Sequence, residues 1–196
     1  MAAEVDREAC RARGIGVFRR VSGGGTVLVG PETWCYSCML DKSLDPGGIH
    51  AAFAWLHEVV IAALASRGVA AVSAPISDLA VRGADGSLRK LAGHSQKRTR
   101  NGTLCEGTLL GDAFPFPLSE VLHHPPREPE YRQGRTHEDF ITELRVAGAR
   151  HQFADFAADV LAVLGAEAGE LPLSIAARAA QLARERYLSE EWTGRM

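Results

Sequence analysis

Arg19-Arg20-Val21-Ser22-Gly23-Gly24-Gly25-Thr26-Val27-Leu28 is the stretch on which the reading of this chain turns. Three consecutive glycines stand between paired arginines and a β-branched apolar run. Backbone without Cβ atoms can take positive φ and approach a ligand closely, which brings bare N–H groups to a phosphate or carboxylate. A guanidinium beside such a loop grips the same groups through two parallel hydrogen bonds. The spacing is neither the dinucleotide-binding fingerprint nor the P-loop pattern, so alone it reads first as a turn and second as an anion cradle.

A second stretch changes the balance. Lys90 precedes the small-Gly-x-Ser-Gln segment Ala92-Gly93-His94-Ser95-Gln96, and a following strand ends in Gly107-Thr108-Leu109-Leu110. In order, Arg-Arg-x-Ser-Gly-Gly-Gly-x-Val, an Asp-Leu step (Ser77-Asp78-Leu79), Lys-x-x-Gly-x-x-Gln and Gly-Thr-Leu-Leu make a pattern that resembles the lipoate-protein ligase A family, within the biotin and lipoate ligase fold.

The resemblance implies an α+β fold with a mixed, largely antiparallel sheet and packed helices, similar to class II aminoacyl-tRNA synthetases. It implies one catalytic domain over residues 1–196, N-terminally short and without a C-terminal accessory domain. The implied reaction is ATP-dependent activation of lipoate or octanoate to an acyl adenylate, followed by transfer to a lysine of a carrier. That carrier would be a lipoyl domain of a 2-oxoacid dehydrogenase complex or the glycine cleavage H protein. ATP and the adenylate would be held by Arg20, Ser22, Gly23, Gly24, Gly25, Thr26, Val27, Leu28, Asp78, Lys90, Gly93, Gln96, Gly107 and Thr108. Lys90 would be catalytic, with Mg²⁺ at Asp78. A compact cation suits the step, because a carboxylate and an α-phosphate repel one another until a positive charge lies between them.

The chain departs from the family at three places. Val29-Gly30-Pro31-Glu32 stands where a His-Asp-x-Gly-Asn run is common, which removes polar groups beside the loop. Cys105-Glu106 replaces the usual His before Gly107-Thr108, and Glu106, unhelpful near an adenylate, is expected to face away. Family members also carry roughly sixty residues upstream of the glycine loop's short helix and strand, the size of a supersecondary unit. Either an upstream start extends this chain, or a partner or a shortened pocket replaces the unit.

Two rival readings follow. Octanoyltransferases of related fold place a nucleophilic cysteine just before the Asp-Leu step, whereas Ala74-Pro75-Ile76-Ser77 has none and the thiols are Cys10, Cys35, Cys38 and Cys105. An ATP-independent octanoyl or lipoyl transferase through a thioester is therefore disfavoured. The other rival is a non-catalytic remnant that binds a carrier domain or an acyl ligand. The Gly-Arg-Gly-Arg loop of biotin ligases is absent, which argues against biotin.

Composition agrees with a globular domain: 196 residues, 46% hydrophobic and 23% charged, enough for a sizeable core. A formal net charge of -2 gives no general reason to expect nucleic acid or an anionic membrane as partner. The N-terminus lacks an apolar signal core, the longest apolar segment is broken by charges, and four cysteines without a signal suggest reduced thiols in the cytoplasm. Cys35 and Cys38 read as small residues on a strand rather than a metal pair, and His123-His124 as solvated.

The remaining patterns set the expected elements. A short helix spans 4–13, and strands are expected at Val17-Phe18, Thr26–Val29, Cys35–Leu40, Val69–Ser73, Asp78–Arg82, Leu88–Leu91 and Thr103–Leu110, with a hairpin at Asp85-Gly86. Ile49 to Arg67 is an amphipathic helix packed on the sheet, with Trp55 and His57 off its buried stripe. Thr136 caps a helix reaching Leu144, and Arg132 and Arg135 either order a lid or pack a loop. Helices at Gln152–Leu164 and Ser174–Tyr187, the latter capped by Ser174, are expected in the core. Lys97, Arg98 and Arg100 read as a solvated hairpin tip.

Overall fold

The computed structural model describes residues 4–148 and 152–195. Its centre is one sheet built from β1 (Thr33–Asp41), β2 (Ala71–Ala74), β3 (Asp78–Arg82), β4 (Leu88–Arg98) and β5 (Gly102–Leu110), in the order β1-β5-β4-β3-β2. Each neighbouring pair runs antiparallel, and a single parallel bridge joins Lys90 to Ile141. The α+β class is as expected, and so is the largely antiparallel sheet, whose named strands all pair antiparallel. The β3–β4 turn works as the sequence suggests: Gly86 takes φ 81°, and the Gly83 amide donates to the Ser87 carbonyl at 2.8 Å.

One face of the sheet is the core. Helix α2 (Ile49–Ala65) buries Phe53 and lays Leu56, Val60 and Leu64 onto it, where these three meet Leu40, Leu79, Leu91 and Leu109. Each such side chain contributes about 1.5–3 kcal/mol on leaving water. Trp55 is half-buried as foreseen, but His57 is only 3% exposed, because the α2 face in contact with the sheet is broader than the apolar stripe.

The opposite face carries an N-terminal layer. Helix α1 (Arg7–Ala12), capped by the Asp6 carboxylate on the Ala9 amide at 2.8 Å, packs Cys10 with Val5, Val121 and Leu122. The segments at Val17-Phe18 and Thr26–Val29 join no strand ladder, contrary to expectation. One of their amides is engaged elsewhere, Thr26 N–H donating to Glu4 at 2.7 Å, and just beyond them Gly30 N–H donates to the Thr33 hydroxyl at 3.2 Å. Without a neighbouring strand, β-branched residues alone make no sheet.

The C-terminal helices differ from expectation as well. Helix α3 (His137–Phe140) opens on Thr136 as foreseen, yet stops at Phe140. Helix α4 (Phe153–Leu164) reaches the core through Phe156 and is tied to the turn after α2 by the bidentate Arg67–Asp159 pair, at 2.6 and 3.0 Å. Helix α5 (Leu173–Leu182) buries no residue, and Pro172 rather than Ser174 stands at its cap. It is amphipathic, but nothing in the described chain covers its apolar side. A short α6 (Glu190–Thr193) follows, with the Trp192 indole donating to the Arg19 carbonyl at 2.9 Å.

Candidate functional site

A cavity of about 600 Å³ opens between the glycine segment and the sheet face opposite α2, within the range usual for small-molecule sites. Gly25, Thr26, Val27 and Leu28 form one wall, Asp78, Lys90, Gly93 and Thr108 the floor, and the segment from Leu118 to His137 the far side. The sequence separations are large, so the sheet assembles the site.

How Lys90 reaches the floor follows from register. Along β4, Ala92, His94 and Gln96 pair with Leu109, Gly107 and Cys105, whose row includes the core residues Leu109 and Cys105. Strict alternation would send Lys90 to that same buried face. The β3–β4 pairing slips, however: Leu79 opposes Ala92 while Ala80 opposes Lys90, leaving Leu91 as an extra residue. This bulge puts Leu91 and Ala92 together in the core and turns Lys90 to the face of Gly93 and Asp78. A Cβ on Gly93 would lie 2.9 Å from the Lys90 Nζ, so glycine is what leaves the ammonium room.

Lys90 does not stand alone. Its Nζ lies 2.8 Å from Asp78 Oδ1, and the Tyr131 hydroxyl donates to Asp78 Oδ2 at 2.9 Å. Asp78 is 5% exposed. Burial, then the nearby Asp78 charge, drives the Tyr131 phenol well above its ordinary value, so it remains a donor. Both Asp78 oxygens are thus in use, and no group of three or more His, Cys, Asp or Glu side chains among the described residues could hold a metal ion. Mg²⁺, expected at Asp78 from the sequence, would there meet a carboxylate already paired with Lys90 and Tyr131.

The glycine loop is fixed over the sheet by the Ser22 and Ser95 hydroxyls, 2.9 Å apart. The Arg20 guanidinium donates to the Ser22 hydroxyl and to the Gly23 carbonyl at 3.1 and 2.8 Å. Gly24 takes φ 111°, and a Cβ there would fall 2.7 Å from the Arg20 Nη2. Arg20 is pushed down from the usual guanidinium value by burial and held up in part by Glu106 and Glu4. Glu106 therefore does not face away. It shares the loop's side of the sheet, in register with Ser95, and offsets Arg20.

Two expected residues lie off the site. Gln96 turns towards α2 and donates to the Ile49 carbonyl at 2.9 Å, and a Cβ on Gly107 would strike the Tyr36 ring, so this glycine serves packing on the α2 side. Arg20, Ser22, Gly23 and Gly24 adjoin the cavity without lining it. Arg132 and Arg135 sit over the Phe140 ring at 4.9 and 5.4 Å, and Arg135 donates to the Leu88 and Tyr131 carbonyls. They fasten the loop to the sheet. Arg98 pairs with Asp45 at 2.6 Å rather than standing in solvent, and His124 with Glu128 at 2.9 Å.

None of the four cysteines lines the cavity. Cys10 and Cys105 are buried, burial raises the Cys35 and Cys38 thiols, and it pushes Cys105 up to about 11. Sequence reasoning missed Glu4 and Tyr131, which touch the site from distant segments. No local pattern marks Glu4; Tyr131 falls in the stretch Pro129-Glu130-Tyr131-Arg132, which resembles one branch of the ligase family, but nothing there gives it a partner.

An antiparallel sheet with helices on one face and a glycine segment laid over the other defines an α+β protein of the class II synthetase and biotin-lipoate ligase type. The family model described as the lipoyl protein ligase A/B catalytic domain matches residues 1–165, and the chain belongs to that family. It is 31% identical over 223 aligned positions to the octanoyltransferase LipM of Kyrpidia tusciae, covering 98% of this chain and 79% of the relative. In structure it is similar to the bipartite lipoate protein ligase of Thermoplasma acidophilum, described with its E2 lipoyl domain. The TM-score is 0.81 at 19% identity, over 98% of this chain and 75% of the other. A lipoate-protein ligase A bound with ATP gives a TM-score of 0.78 at 20% identity, over 98% and 77%. At these identities the structural matches speak for the fold.

Proposed function

We propose that the protein is an ATP-dependent lipoate-protein ligase that activates lipoate or octanoate and passes the acyl group to a lysine of a lipoyl carrier domain. The observation that carries this reading is the cavity that Lys90 and the Gly25–Leu28 backbone line together, with no thiol in its wall. In the first step a carboxylate oxygen bonds to the α-phosphorus of ATP as the bond to pyrophosphate breaks. Lys90 lies where two anionic groups would meet, and the glycine-loop amides supply fixed donors. In the second, the carrier's amine bonds to the acyl carbon, AMP leaves with the electron pair of the broken C–O bond, and the amine sheds a proton. Carriers of the 2-oxoacid dehydrogenase type, or the glycine cleavage H protein, fit this chemistry. No helix among the described residues is long and apolar enough to cross a membrane, and a cytoplasmic place of action suits the reaction.

The test is Lys90→Ala in lipoate-dependent exchange of pyrophosphate into ATP. Loss of exchange in a variant still folded at the assay temperature is expected; exchange near the parental rate sinks the assignment. A second reading has its own support, because the relative at 31% identity is named an octanoyltransferase. Mass spectrometry after incubation with an octanoyl carrier and no ATP separates the two: a thioester on any cysteine favours the transferase.

A further inference from the structure

The donors that would receive an anion already hold one. Glu4 lines the cavity, its Oε2 accepts the Thr26 amide at 2.7 Å, and a Cβ on Gly25 would come within 3.5 Å of that same oxygen. The Glu4 carboxylate therefore sits on the glycine segment where an acid's carboxylate or a nucleotide's phosphate would be received. The Thr26 hydroxyl beside it is buried without a hydrogen-bond partner. Arg20 feels Glu4 as well as Glu106.

The backbone around Glu4 is fixed. Its carbonyl accepts His123 N–H at 3.0 Å, Val5 bridges to Leu122, and Asp6 N–H donates to the Val121 carbonyl at 3.0 Å. The side chain can thus leave the cradle by rotation alone, with the helix behind it in place. We propose that Glu4 is a built-in competitor, holding the Thr26 amide in the ligand-free protein and displaced by the anionic oxygen of an incoming carboxylate or phosphate. The idea deepens the ligase reading and rests on the same cavity. Displacement raises the threshold for binding, since an anion must outcompete a carboxylate tethered beside it and overcome the repulsion between like charges.

The variant Glu4→Gln keeps an acceptor oxygen for Thr26 and removes the charge; Glu4→Ala removes both. Calorimetric titration of parent and variants with octanoate alone and with AMP alone, each without the other, reads the effect directly. Tightening of about tenfold, which corresponds to about 1.4 kcal/mol, is expected in Glu4→Gln for at least one ligand and is to shrink as salt rises. Tightening for octanoate places the carboxylate at the cradle, for AMP the phosphate, and for both either anion. Equal or weaker binding by both variants overturns the proposal and leaves the ligase reading standing. Absence of binding by parent and variants alike overturns both.

Discussion

Strand β4 carries two polar side chains four residues apart that end on opposite faces of the sheet, and their surroundings differ in kind. Lys90 meets Asp78 and Tyr131 at the floor of an open cavity, its side chain 27% exposed. His94, 7% exposed, lies under α2: its Nε2 is 2.6 Å from the Tyr36 hydroxyl, its Nδ1 2.9 Å from the Ser77 carbonyl, and its ring 4.8 Å from that of His57. Since a carbonyl only accepts, Nδ1 carries the proton and Nε2 receives the Tyr36 O–H. Burial, aided by His57, holds His94 down to about 3, so it is neutral. One face keeps a charge within reach of a ligand; the other keeps the His94 imidazole uncharged, with both ring nitrogens hydrogen-bonded. Yet the two are joined, because Ser77, which His94 grips by both ring and backbone amide, belongs to the cavity wall.

The largest expected effect breaks the open side. Lys90→Ala is to lower lipoate-dependent pyrophosphate exchange by about 10²–10³-fold, the scale for removing one preorganised transition-state contact. The melting temperature should fall as well, since truncation leaves the buried Asp78 carboxylate without its cation, so exchange is measured at a temperature where the variant is fully folded. A comparable loss from any core-face variant of equal stability would erase the contrast.

Acid tests the closed side. Between the usual imidazole value of 6.5 and about 3, the unfolded chain binds a proton at His94 that the native fold does not. Stability is therefore full above that window and falls as pH drops through it, by about 3 kcal/mol at pH 4 from this group. Urea unfolding at a series of pH values gives the slope, and His94→Gln should flatten it. An equal slope in the variant would assign the acid sensitivity elsewhere.

Removing only the hydroxyl of Tyr36 sharpens the same point with a smaller change. Tyr36→Phe leaves the His94 Nε2 buried without a donor, a cost of about 1–3 kcal/mol in the urea midpoint. Exchange activity at saturating substrate should stay within a few-fold. A neutral stability effect would mean that water or another donor reaches the ring.

The contrast also marks what a linear sequence can carry. The glycine run, the Lys90 segment and the hairpin between β3 and β4 are local patterns, and they led to the right fold and to the cavity's two walls. The face on which Lys90 emerges was not legible: by parity it belongs with His94, and only the extra residue Leu91 separates them. Bulges depend on how two strands meet, which neither strand states alone. Gln96 and Gly107 illustrate the converse, being family-motif residues whose parity, unbroken, sends them to the core side. His57 reads as exposed from α2's periodicity and is buried by a wide helix–sheet contact. Glu4 and Tyr131 reach the site across 22 and 53 residues to their partners Thr26 and Asp78, and no spacing rule spans such distances.

The smallest expected effect concerns Tyr131, the point where the Pro-rich segment touches the floor. Its ring lies 5.0 Å from Phe140, so Tyr131→Phe keeps that packing and removes only the hydrogen bond to Asp78. Asp78 would then orient the Lys90 ammonium with one contact fewer. If Tyr131 is a positioning residue, kcat for exchange should fall about five- to tenfold at a temperature where the variant is fully folded, close to the 1–1.4 kcal/mol that one such bond contributes, while KM holds. A purely structural hydroxyl would lower the melting temperature and leave kcat alone. That split decides whether the open face is organised by Asp78 and Lys90 alone or from the far side of the cavity as well.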